Sequence, residues 1–268
     1  SLGFGFRGGR RGQRRAHFGR RQGCRRRGRS LGLFGSLVLA IELQAERPPL
    51  PLTGKVSTAK QRTLVIDVMR ALGFPFDRGR LDESDHPFTE GVNGDVRVTT
   101  RFVPQEPFTG LMGVLHETGQ AMYDLGLPEA WRDQPVGRDR GMALEESQSL
   151  LLEMIIGRSR PFLAYLRPLL EKHFGVVGPE WEIENLYRTL VRVRRGAIRV
   201  DADELTYPVH IMVRFDLEKR IFDGTLPVQD LPQAWSQGLE ERLGLRPAND
   251  AEGCLQDVHW AVGSFGYF

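Results

Sequence analysis

The chain has 268 residues, 40% of them hydrophobic, which is enough for a real core in one large domain or two small ones. Its two cysteines, Cys24 and Cys254, lie far apart and fit no CxxC metal or redox pattern, so a reduced, cytoplasmic setting is expected. The net charge of +3 is misleading: residues 1–30 carry eleven Arg, eight Gly and no acid, and without them 26 basic residues face 34 acidic ones, a net of −8. Nucleic acid is therefore not an expected partner of residues 50–268.

Residues 1–49 read as an Arg/Gly-rich segment that is disordered or non-native. Such a composition cannot bury apolar surface. It could contact phosphates, but acid-free Arg/Gly sequence is also what GC-rich DNA gives when read out of frame. Leu31 to Ile41 is apolar, yet about half the length needed to span a bilayer. As a secretory signal it has too long a basic region and no clean small-x-small site after it. No membrane association is expected.

Pro48, Pro49 and Pro51 mark a break. From Ser57 to Leu72 the residues Leu64, Val65, Val68, Met69 and Leu72 recur at helical spacing, and Gly73-Phe74-Pro75 stops the helix. Residues 76–94, rich in Asp, Gly and Pro, read as loop. Asp95 to Phe102 alternates, with Val96, Val98, Thr100 and Phe102 on one side, and reads as a half-buried strand. Phe108 to Leu125 is a helix with an apolar stripe of Met112, Leu115, Met122 and Leu125, ended by Gly126 and Pro128. Residues 129–141 are a polar loop. Further helices are expected at Met142 to Ile156, near 161–173, 180–195 and 202–222, and at 229–243. Pro208 should kink or break the 202–222 helix. The whole reads as a mainly α protein with one small strand region.

Within the helix at 108–125 stands His116-Glu117-Thr118-Gly119-Gln120. It is a zinc-protease helix motif with its last residue changed. Two His at i and i+4 share one helix face and can hold one metal, while the intervening Glu serves as general base on the activated water. Here the second His is Gln120. Alone, such a helix is more often an ordinary surface or core helix. Glu145-Glu146-Ser147-Gln148-Ser149, opening the next helix, supplies a third candidate ligand in the usual place, a Glu from a following helix.

Several further segments stand in order with these. They are Asp77-Arg78-Gly79-Arg80-Leu81-Asp82, His86-Pro87-Phe88 and Asp95-Val96-Arg97-Val98-Thr99. After the two helices come Ile198-Arg199-Val200-Asp201-Ala202-Asp203 and Gly253-Cys254-Leu255-Gln256-Asp257-Val258-His259-Trp260. Together they resemble the carboxypeptidase Taq family of zinc metallocarboxypeptidases over residues 50–268. The resemblance implies a mostly helical metallopeptidase fold with a deep active-site groove and a small β element beside the motif helix. It implies release of single residues from peptide C-termini with broad specificity, and commonly a homodimer. Carried over, the metal ligands for Zn2+, or another divalent cation such as Co2+, are His116, Gln120 and Glu146. Glu117 is the general base. His86, Arg97, Arg199 and His259 are expected to line the substrate site, with Arg199, His259 and Tyr267 also serving catalysis. Taken singly these residues are unremarkable: His86 before Pro suits a turn, Arg199 follows Arg192, Arg194 and Arg195, and His259-Trp260 could be a packed pair. A carboxypeptidase does need a cation for the terminal carboxylate, and a bidentate guanidinium suits it best, which favours Arg199.

The chain departs from the family pattern at three points. Gln120 offers a neutral amide oxygen, a poorer zinc partner than imidazole. Glu145 stands where the family has His, and on a helix it points about 100° away from Glu146, so it is not expected to share the same metal. Family chains are longer, with helices expected before residue 50 and after Phe268, which leaves 50–268 as a partial catalytic domain with bare apolar surface. The alternative to a working enzyme is a catalytically inactive member that has lost zinc through Gln120.

Overall fold

The computed structural model describes residues 40–266 except 42, 46, 93 and 133. The apolar stretch at 31–41 and the Arg/Gly-rich segment lie mostly outside these residues, and Tyr267 lies outside them too. Among the described residues no helix is long and apolar enough to cross a membrane.

The Ser57 hydroxyl accepts a hydrogen bond from the Lys60 N–H at 3.4 Å and opens α1, Thr58–Ala71. Leu64, Val65, Val68 and Met69 form its buried face. Gln61 on the same helix donates to the Val56 and Val103 carbonyls, each at 2.9 Å, and ties α1 to the chain entering the motif helix.

Residues 76–94 are not the loop that composition suggests. They contain β1, Gly79–Glu83, and β2, Phe88–Val92, which flank β3, Asp95–Thr100, in the order β1-β3-β2. β3 pairs parallel with β1 and antiparallel with β2. Only the central strand shows a buried alternation. The two edge strands are largely exposed, so their polar residues disguise them. Phe102 lies beyond the end of β3 but is buried, as its place in the alternation implied.

Pro107, free of any need for an N–H in the first turn, starts α2, Pro107–Leu125. Leu111, Val114, Leu115 and Ala121 are its innermost apolar residues. The expected helix from Met142 to Ile156 is present in two registers. α3 runs Met142–Leu150 and passes into a π-helical turn, Leu151–Ile156, closed by the Gly157 N–H on the Leu152 carbonyl at 2.8 Å. α4 follows at Arg160–Phe174, capped by Ser159 and ended by Gly175 at φ 73°.

Two later helices are shorter than their patterns. α5 covers Ile183–Leu190 within 180–195, because Glu182 is extended and separates it from a 3-10 turn at Pro179–Trp181. α6 is Tyr207–Phe222 and not 202–222. Asp203 accepts from the N–H groups of Leu205 and Thr206, both at 3.0 Å, and holds a turn before the helix. Pro208 therefore sits in the first turn, where its missing N–H costs nothing, and no kink is needed. α7 is Leu231–Leu243, preceded by a 3-10 turn at Val228–Asp230, and α8, Val258–Ala261, is a single turn capped by Asp257.

The fold is mainly helical, with the small sheet packed on α2, as expected. Its apolar residues gather in two cores. The first runs from Val56 to Leu186 and joins α1, the sheet, α2, α4 and α5. The second, from Val193 to Cys254, is built on α6 and α7. The chain crosses from one to the other at residues 191–206, the stretch that carries Arg199.

Candidate active site

The motif residues meet where α2 and α3 come closest. A Cβ on Gly119 would lie 2.6 Å from the Gln148 carbonyl oxygen and 2.7 Å from the Ser149 Cα, so only glycine permits the approach. One helical face of α2 then presents His116 and Gln120 together. His116 Nε2 lies 3.6 Å from Glu146 Oε2, and Gln120 Nε2 donates to the same oxygen at 3.2 Å. The other ring nitrogen of His116, Nδ1, is 3.0 Å from Glu153 Oε2 in the π-helical turn. Arg158 Nη2 holds the second Glu153 oxygen at 2.9 Å.

Glu117 turns to the sheet side. It is 6% exposed, and the Thr89 hydroxyl of β2 donates to its Oε2 at 2.7 Å and lies 3.0 Å from its backbone carbonyl. Burial raises the Glu117 carboxyl, against the lowering pull of His116, Thr89 and His86. Burial likewise works to raise Glu146, but His116, Gln120 and the charge of Arg199 outweigh it and hold Glu146 below its usual range. Burial opposes charge on His116, yet Glu146 and Glu153 together push its pKa up to about 10. Glu145 faces Asp124 and Asp139 instead of His116. Burial, then those two acids, raise its carboxyl.

Residues of the second core face this cluster. Arg199 is partly buried, unlike exposed Arg192, Arg194 and Arg195. Its Nη1 donates to the Tyr207 hydroxyl at 3.2 Å, and its backbone N–H to Gln256 Oε1 at 2.8 Å. Gln256 also donates to the Ala197 and Glu252 carbonyls, at 2.9 and 2.7 Å. Asp257 caps α8 and sets His259 with its Nδ1 3.4 Å from the Asp257 carboxylate. Burial lowers the His259 pKa, aided by the charge of Arg199.

Of the residues named from sequence, His116, Glu117, Gln120 and Glu146 are brought together directly. Arg199 acts on Glu146 through its charge, His259 lies next to Arg199, and His86, an exposed residue bonded to the Pro87 carbonyl at 2.6 Å, acts on Glu117. Arg97 is elsewhere in its contacts, paired with Asp95 on the outer side of β3. Thr89, Glu153, Arg158, Tyr207 and Gln256 were not anticipated. Glu153 had a signal, since seven residues after Glu146 is the same helix face two turns on.

A divalent cation can be tested against this donor set. Ligand atoms about 2.0–2.2 Å from one tetrahedral zinc lie roughly 3.3–3.6 Å from each other. The separations of 3.6 Å and 3.2 Å at Glu146 Oε2 fall close to that range. Rotation of the Gln120 amide would turn its oxygen inward. The residues thus fit a cation in position, with two strong donors and one weak one. Among the described residues no three His, Cys, Asp or Glu side chains are grouped so as to hold a metal by themselves, so the Gln120 amide would have to complete the set.

The sequence model of the carboxypeptidase Taq (M32) metallopeptidase family matches residues 36–268. The chain belongs to that family. It is 42% identical over 210 residues to carboxypeptidase 1 of Bacillus subtilis, covering 78% of this chain and 42% of that protein. It is 39% identical over 209 residues to thermostable carboxypeptidase 1 of Thermus thermophilus, again over 78% of this chain and 41% of that one. Among solved structures, metallocarboxypeptidase 1 of Trypanosoma cruzi matches with a TM-score of 0.83 and 41% identity, over 88% of this chain and 50% of that one. The M32 carboxypeptidase of Deinococcus radiodurans matches at 0.80 and 38%. The chain therefore spans less than half the length of these curated relatives.

Proposed function

We propose that the chain carries the reaction centre of a metallocarboxypeptidase that releases single residues from peptides with a free C-terminus. The observation that carries this reading is the meeting of His116 and Gln120 on one oxygen of Glu146, with the buried Glu117 carboxylate beside them. His116, Glu146 and the Gln120 amide oxygen would hold Zn2+ or Co2+, which would supply Lewis acidity towards the scissile carbonyl. Glu117, its carboxyl raised by burial, takes the proton of the attacking water and returns it to the leaving amine. Thr89 fixes the carboxylate in place by its hydroxyl. Arg199 binds the terminal carboxylate through its planar guanidinium, with His259 beside it, and His86 sits at the Glu117 side. Broad specificity and a cytoplasmic setting belong to the same proposal. So does a homodimer, for which the exposed Leu144 of α3 and Leu151 and Ile155 of the π-helical turn offer apolar contact.

One observation favours a second reading, an inactive member that binds peptide ends without metal. The Gln120 amide donates to Glu146 and so occupies the carboxylate that the cation needs. Both readings meet in one experiment, zinc per chain after dialysis, for this protein beside Gln120→His. The proposed enzyme predicts about one zinc in both, with tighter retention in the histidine variant. Zinc in the variant alone would leave the fold with a dead site, and zinc in neither would overturn the metal reading.

A further inference from the structure

The catalytic reading leaves a half-buried carboxylate against His116 without a role. Glu153 is 15% exposed in its side chain and comes from the π-helical turn, not from regular helix. It lies on the opposite side of the His116 ring from Glu146: Glu153 Oε2 is 3.0 Å from Nδ1, and Glu146 Oε2 is 3.6 Å from Nε2. Both ring nitrogens thus face a carboxylate, and the nearer one is Glu153 at Nδ1, so Nδ1 would keep its proton and its partner when Nε2 gives its lone pair to a metal.

Glu153 is itself held. Arg158 Nη2 donates to its other oxygen at 2.9 Å, while Arg158 Nη1 reaches the Leu190 carbonyl at 3.5 Å, at the C-terminal end of α5. Arg158 is 12% exposed in its side chain, so the pair is shielded from solvent. The π-helical turn is shaped around the same helix. A Cβ on Gly157, which closes that turn, would lie 2.6 Å from Leu115 Cδ1, one residue before His116. Single π turns of this kind recur at functional sites.

We propose that Glu153 is the positioning residue of the metal-ligand histidine: it fixes the proton of His116 on Nδ1 and the orientation of the ring, so that Nε2 faces Glu146. The proposal rests on the reading of His116 as a ligand, and it assigns the π-helical turn and Arg158 their purpose. A carboxylate behind a ligating imidazole raises the basicity of the ligand and restricts its rotation. Such support matters more here than beside a second histidine, because Gln120 contributes a neutral oxygen.

Two measurements test it, the second needing no metal. The first is Co2+ affinity by competition with a chromogenic chelator, for Glu153→Gln against its parent, made both in this chain and in Gln120→His. Glu153→Gln should lose about 10–100-fold in affinity while its unfolding midpoint stays near the parent's. An unchanged affinity, or a fall matched by loss of fold, would overturn the assignment. The second is the 15N-correlated proton signal of His116 Nδ1 in metal-free protein. It should be present and slow to exchange in the parent, and lost in Glu153→Ala. Its absence from the parent would also overturn the proposal. Binding by neither background would sink the metal reading while the Nδ1 proton still decides the role of Glu153.

Discussion

The two cores are stabilised in different ways. The first buries α2 against α1 and the sheet, and α4 against α1, through apolar contact, with Leu115, Val114, Val68 and Leu166 fully enclosed. The second encloses an ion network. Arg214, 1% exposed, pairs with Glu218 at 3.0 Å and with Asp257, and lies over the Trp260 ring at 5.4 Å. Glu218 also accepts from the Trp260 indole at 2.6 Å and from the Gly266 N–H at 3.1 Å. Apolar packing is tolerant in direction, whereas hydrogen-bonded charges specify one arrangement. The difference follows the work each core does. The motif residues on α2 and α3 are placed by two helix backbones in contact, while His259 and Gln256 sit on short single turns that only specific polar contacts can fix.

That contrast predicts the largest effect. Arg214→Met leaves Glu218 and Asp257 buried without their cation, and breaking a buried pair this way costs about 3–5 kcal/mol. Denaturant unfolding should show the loss, and hydrogen exchange should place the new openings in α6 to α8, with α2 still protected. Equal loosening of both cores would mean that they unfold as one unit.

The next effect belongs to the second core through pH. His210 on α6 is 1% exposed, with Nε2 donating to the Gly196 carbonyl at 3.1 Å. Burial chiefly, aided by the charge of Arg199, lowers its pKa to about 4 from a usual 6.5, against the opposing hydrogen bond to Gly196 and the charge of Asp203. The unfolded chain therefore binds a proton between pH 6.5 and pH 4 that the folded chain refuses. Stability should be fully present above that window and fall through it by about 3 kcal/mol, levelling below pH 4. His210→Gln keeps a donor for Gly196 and should remove most of this slope. A variant with the same slope as its parent would show that the acid sensitivity arises elsewhere.

What the sequence disclosed follows the same division. The helices of the first core repeat apolar residues at a fixed period, so α1, α2 and α4 are legible to within a few residues. β1 and β2 are not, since an edge strand of Arg, Asp, Glu, Thr and Gly that buries at most one position looks like loop. The turn signal Asn93-Gly94 before β3 was the available clue. In the site, His116, Glu117 and Glu146 are readable from motif spacing. Thr89 is not, because it reaches Glu117 across the sheet, and Tyr207 and Gln256 are not, because they act through Arg199 from 8 and 57 residues away. The misread Pro208 has the same origin: periodicity continued upstream of Tyr207, but the Asp203 turn ended it.

The smallest effect tests whether helix contact alone sets the ligands. Gly119→Ala should gain up to about 1 kcal/mol in helix propensity. Overpacking costs about 1–3 kcal/mol, and here the obstruction is the α3 backbone at 2.6 Å, which cannot rotate away as a side chain could. The net loss should be up to about 2 kcal/mol, read from the unfolding midpoint. Gly196→Ala, with nothing within 4 Å of its added carbon, is the matched control and should be near neutral. If α2 is displaced from α3, the separation at Glu146 must grow, and the retained zinc of the Gln120→His background should fall with it. A stable Gly119→Ala protein with unchanged zinc would show that the helices have slack at their crossing, and that the ligand geometry is set by the His116–Glu153 contact more than by the backbone approach.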